Sequence, residues 1–105
     1  MILLYSDFYA LTYENFQTAF RIIVNLAIPS TDKRVADRLL LELEMRGDAE
    51  GWVSLSQSDL AKLVAISLPT LQRVMRRLAN SGLVTNNYGR VQVIDRDALA
   101  RLCRG

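Results

Sequence analysis

The stretch SLSQSDLAKLVAISLPTLQRVMRRLANSGLVTNNYGRVQVID, from Ser54 to Asp95, decides the fold of this chain. Ser56 suits a helix N-cap, and Asp59 three residues later is a variant of the capping box. Leu60, Ala61, Leu63 and Val64 then supply a buried face, so the spacing predicts a helix of about nine residues. Ala65-Ile66-Ser67 makes a turn, Ser67 caps a second helix, and Pro69 sits in its first turn, where a missing amide hydrogen costs little. From Leu68 to Asn80, Leu71, Val74, Met75 and Leu78 share one face, leaving Pro69, Gln72, Arg73, Arg76 and Asn80 on the other. Gly82 suits the C′ position that ends this helix. Leu83–Thr85 and Arg90–Ile94 read as two strands joined through Asn86-Asn87-Tyr88-Gly89. The expected fold is mainly α with a small antiparallel β wing, a winged helix-turn-helix.

Upstream, Trp52–Leu55 reads as a short strand after a loop from Gly47 to Gly51. Before that loop, Thr31 is the expected N-cap of a helix with Asp32 in its first turn and Val35, Ala36, Leu39, Leu40 and Leu43 on its buried face. Pro29 separates it from a long helix expected over Phe8–Ala27. There Tyr9, Tyr13, Phe16, Phe20, Ile23 and Ala27 are spaced four, three, four, three, four, which is a heptad seam. Leu11, Ile22, Val24 and Leu26 widen the stripe, so one side can meet a partner helix and another its own domain; an ordinary amphipathic helix packed within the monomer fits the same residues. The organisation expected is residues 1–29 as a dimerisation-type helix and residues 30–105 as the winged domain, closed by a short helix that Asp95 caps and that carries Leu99 and Leu102.

Composition bounds the function. Half the residues are apolar and 23% charged, as in a globular domain. No apolar run approaches the roughly 18 residues that cross a bilayer, and the first residues do not read as a secretory signal. A cytoplasmic protein with no membrane partner is expected, and the single cysteine, Cys103, suits a reducing compartment. With no histidine, no thiol-activating partner, no metal-ligand cluster and no phosphate-cradling glycine motif, neither catalysis nor a metal or other cofactor is expected. The net charge of +2 conceals a segregation: from Leu60 to Ile94 there is no acidic residue, while Lys62, Arg73, Arg76, Arg77 and Arg90 all lie inside. A field of one sign attracts phosphate backbones.

A short helix, a tight turn and a helix with a polar, basic outer face describe a device that reads double-stranded DNA. Only long donors and acceptors reach base edges, so Gln72 and Arg73 are the expected base readers, with Leu68 and Pro69 against thymine methyls. Ser56, Ser58, Ser67 and Thr70, near helix N-termini, and Lys62, Arg76, Arg77 and Arg90 are the expected phosphate contacts.

These residues carry a resemblance. The quoted stretch, together with TDKRVADRLLLEL from Thr31 to Leu43, resembles the C-terminal winged-helix domain of the Crp/Fnr transcription regulators over about Thr31–Ile94. The resemblance implies a sequence-specific transcription regulator, a homodimer formed through the preceding helix, and RNA polymerase as a further partner. The family's N-terminal effector-binding β-roll has no counterpart in this sequence, which implies a fragment or stand-alone reader without cyclic nucleotide, haem or iron–sulfur site. Where the family often places an Arg-Glu pair after the capping serine, Leu68 and Pro69 stand here, whereas Arg73 matches the family's later base-reading arginine. The mode of binding carries over and the operator does not. Two other uses fit the same residues: a winged helix of another family, such as a plasmid replication initiator, and a protein-interaction module. The acid-free stretch argues against the latter.

Overall fold

A computed structural model describes the backbone of residues 2–104 and the side chains of residues 12–104. In chain order the elements are α1 (Ile2–Leu26), α2 (Thr31–Arg46), β1 (Trp52–Val53), α3 (Gln57–Leu63), α4 (Leu68–Asn80), β2 (Val84–Asn87), β3 (Arg90–Val93) and α5 (Arg96–Arg104). The chain is a winged helix-turn-helix preceded by a long helix.

Apolar spacing decides how α4 lies. Leu71, Val74, Met75 and Leu78 are each no more than 3% exposed, and they meet Val35 and Leu39 of α2 and Leu60 of α3 in one core. Burying each such side chain stabilises the fold by about 1.5–3 kcal/mol, so the rotation of α4 about its axis is fixed by its inner face. Leu99 of α5 completes the core, with α5 laid along α2. No described helix is long and apolar enough to cross a membrane.

Helix starts follow the serine pattern with one correction. Ser30, not Thr31, is the N-cap of α2: Ser30 is extended and its hydroxyl accepts from the Lys33 amide at 3.3 Å, while Thr31 is already helical. Ser56 and Ser67 cap α3 and α4 by accepting from the Asp59 and Thr70 amides at 3.0 and 3.3 Å. The Asp95 carboxylate likewise accepts from the Ala98 amide at 2.9 Å.

Both helices of the pair end in the same way. After α3, the Ala65 amide donates to Lys62 O and the Ile66 amide to Ala61 O; after α4, the Gly82 amide donates to Ala79 O and the Leu83 amide to Leu78 O. Each is a Schellman closure with the C′ residue left-handed, Ala65 at φ 57° and Gly82 at φ 75°. This closure stops α3 at seven residues rather than nine.

The wing also differs from the sequence expectation. Asn86 pairs with Val91 and Asn87 with Arg90, so the strands run to a two-residue Tyr88-Gly89 turn in which Gly89 supplies the positive φ of 69°. Asparagine is a poor strand former, but ladder hydrogen bonds to β3 override that preference. The strand expected over Trp52–Leu55 is cut to Trp52–Val53, which pairs with Gln92 and Val91 and gives the antiparallel order β1-β3-β2. At the other end α1 stops at Leu26, and Ala27, expected as the last seam residue, lies in the turn beyond it.

The two closures predict opposite responses. A β-carbon at Gly82 meets nothing within 4 Å, so only its left-handed backbone opposes one, and Gly82→Ala is expected to destabilise by about 1 kcal/mol. Ala65 is exposed and left-handed, so Ala65→Gly is expected to be neutral or stabilising by up to about 1 kcal/mol. Urea denaturation midpoints at constant slope check both; a clear loss of stability in Ala65→Gly contradicts this account.

Candidate nucleic-acid interface

With its inner face buried, α4 presents Pro69, Gln72, Arg73, Arg76 and Asn80 to solvent. Leu68, at 38% exposure, joins them at the N-terminal end. A chain of hydroxyls orders the first turns. The Ser67 hydroxyl donates to Thr70 Oγ1 at 2.9 Å, and Arg73 Nη2 donates to the same oxygen at 3.3 Å. Thr70 thus steadies the Arg73 guanidinium, and its own hydroxyl donates to no acceptor among the described residues. The Ser67 proton is engaged within the chain, whereas the Ser56 hydroxyl accepts from the backbone and donates to no acceptor among the described residues.

Beside this face runs an open groove of about 650 Å³, floored by Leu55 and bounded by Ser56–Ser58, by Leu68 and Gln72, and by the wing from Asn86 to Arg90. A second, smaller open groove is lined by Gln57, Gln72, Arg76, Ala79 and Asn86. Gln57 and Asn86 therefore line both grooves together with Gln72. Neither was singled out from sequence, because only the wing's register brings Asn86 to α4. At the wing tip Tyr88 is fully exposed.

Arg90 is steadied by an aromatic partner: its guanidinium carbon lies 4.5 Å from the centroid of the Trp52 ring. Stacking of this kind is worth about 0.5–1 kcal/mol at an exposed site and limits where the cation can point. Trp52 carried no local signal for this role, since it reaches Arg90 only through the β1–β3 pairing.

Charge is distributed unevenly. Among the described residues the ion pairs are Arg21–Glu44, Arg38–Glu42, Arg46–Glu42 and Arg77–Asp32. Lys62, Arg73, Arg76 and Arg90, all expected at phosphate or base, have no carboxylate within 4.0 Å among the described residues. Arg77 differs from them. Also expected at phosphate, it is held by Asp32 of α2 through two hydrogen bonds, which together with the carboxylate's charge raise its pKa above the ordinary arginine value. Arg34, which sequence reading passed over, donates to Ile28 O at 3.0 and 2.8 Å and to Val64 O at 3.0 Å, tying the end of α3 to the segment before α2.

The outer stripe of α1 lies bare. Tyr13, Phe16, Phe20 and Ile23 are between 58% and 68% exposed, so the alternative of a helix packed within its own monomer does not describe this face. The side chain of Tyr9, the first expected seam residue, lies outside the described residues. No group of three or more metal-ligating side chains occurs among the described residues. Burial, reinforced by the charge of Asp37, pushes the Cys103 thiol pKa up, the opposite of what a nucleophilic cysteine needs.

The profile of the Crp-like helix-turn-helix domain family matches residues 33–102. Among solved structures, FixK2 from Bradyrhizobium japonicum superposes with a TM-score of 0.82 at 21% identity, covering 97% of this chain and 52% of that one. A CRP/FNR-family transcriptional regulator from Thermus thermophilus gives 0.77 at 27% identity, covering 97% and 55%. A CRP-family transcriptional regulator from the same organism gives 0.75 at 24% identity, covering 90% and 50%. The chain spans about half the length of these structures. No curated protein sequence matches it significantly.

Proposed function

The chain belongs to the Crp-like helix-turn-helix domain family, and we propose that it binds double-stranded DNA in a sequence-specific way to regulate transcription, with α4 in the major groove. The observation that carries this reading is the row Gln72, Arg73 and Arg76 on the outer face of α4, flanked by Arg90 of the wing, with its cations free of carboxylates among the described residues. A helix fits the major groove, and Arg and Gln supply the paired donors and acceptors that distinguish guanine and adenine edges there. Arg73 and Gln72 are assigned to bases, with Leu68 and Pro69 alongside. Ser56, Ser58, Thr70, Lys62, Arg76 and Arg90 are assigned to the phosphates on either side, and Ser67 to setting up Thr70.

The bare stripe of α1 supports a homodimer. Exposed aromatic and aliphatic side chains at four-three spacing are the seam of a paired helix, and pairing them removes apolar surface from water. A two-fold dimer would present two copies of α4 to half-sites about one helical turn apart.

Binding to a selected DNA sequence and to a scrambled one, measured across salt concentrations, tests the reading. Log affinity is expected to fall steeply with log salt, by about 0.9 for each phosphate neutralised. Arg73→Ala is expected to cost about 1–3 kcal/mol per half-site on the selected sequence and to relax selectivity at one position. A flat salt dependence contradicts DNA binding; an equal loss on both sequences makes Arg73 a backbone contact.

Sedimentation checks the dimer. Phe16→Glu with Phe20→Glu is expected to halve the mass observed at micromolar concentration, and an unchanged mass contradicts pairing through α1.

A further inference from the structure

Asp32 and Arg77 are 45 residues apart in sequence and meet through two hydrogen bonds, Nε to Oδ2 at 3.0 Å and Nη2 to Oδ1 at 2.5 Å. Their side chains are 33% and 56% exposed, and an ion pair this open to water adds little to stability. What a bidentate guanidinium–carboxylate pair does supply is orientation, because two bonds from a planar fork fix both distance and angle. Asp32 lies in the first turn of α2 and Arg77 in the last turn of α4. Two residues beyond Asp32, on the same turn, Arg34 holds the carbonyl of Val64, the C-cap residue of α3. One turn of α2 therefore grips the helix-turn-helix at both of its helices.

We propose that Asp32 and Arg77 are positioning residues for the reading helix: the pair sets the angle of α4 against α2, and neither residue meets DNA. This rests on the reading that α4 enters the major groove. Two features favour positioning over a phosphate contact. The carboxylate neutralises Arg77 where Arg73 and Arg76 on the same helix have no such partner among the described residues. A tilt pivoting at the core also shifts the N-terminal side chains Gln72 and Arg73, whose base contacts depend on sub-ångström placement.

The test uses the full chain and the variants Asp32→Asn, Arg77→Met and the double variant, each confirmed folded by circular dichroism. Without DNA, amide-exchange protection at Leu78–Asn80 is expected to fall in all three. With DNA, each single variant is expected to lower the affinity ratio between selected and scrambled sequences by about threefold or more, with the double variant no worse than either single one. The salt slope should not change, since no phosphate contact is lost. A slope reduced by about one in Arg77→Met, with both sequences weakened alike, overturns the proposal and makes Arg77 a phosphate contact. An unchanged affinity ratio in both single variants overturns it as well. If the unaltered chain shows no salt-dependent DNA binding, it is the DNA reading that fails; unchanged exchange protection in Asp32→Asn then independently overturns the pairing role.

Discussion

The inner face of α4 is the constraint on which the rest depends. Leu71, Val74, Met75 and Leu78 lie in the core, and a helix repeating every 3.6 residues cannot turn about its own axis once four such side chains are committed. Turning α4 by one residue's worth of rotation would place Arg73 or Gln72 among Leu39 and Leu60, and burying an unpaired cation there costs more than any surface contact returns. The outer row is thus a consequence of packing. The Ser67–Thr70–Arg73 hydroxyl chain and the Trp52–Arg90 stack then narrow where the exposed cations point.

Electrostatics follow from the same division. On the α1–α2 side three arginines meet carboxylates: Glu42, itself buried, accepts from Arg38 at 2.9 Å and Arg46 at 2.8 Å, and Arg21 meets Glu44. On the α4–wing side acids are absent from the sequence and the cations face water. A small net charge therefore coexists with a strongly one-signed face, which is what long-range attraction to a polyanion requires. Arg77 is the exception that marks the border between the two sides.

Legibility tracked locality. The caps at Ser56 and Ser67, the apolar period of α4 and the glycine at its C′ position are encoded within a few residues, and the structure agrees with them. The one-residue shift from Thr31 to Ser30 at the start of α2 arose because two adjacent hydroxyls are equivalent by type and only backbone conformation separates them. The left-handed turn at Ala65 was hidden because alanine gives no sign of a role usually filled by glycine. The extended wing, the Trp52–Arg90 stack, the Arg34 tie and the Asp32–Arg77 pair join residues distant in sequence, so no local pattern announces them. The α1 stripe was legible as an apolar row on one face of a helix, while Ala27, expected as its last residue, lies in the turn because the helix ends one residue early.

Dimethyl sulfate probing of bound DNA tests the placement of α4 most directly, because guanine N7 faces the major groove and adenine N3 the minor groove. Guanine N7 protection is expected in two patches about one helical turn apart, with adenine N3 still reactive at those positions. Protection confined to adenine N3, with guanine N7 fully reactive across the footprint, would contradict it.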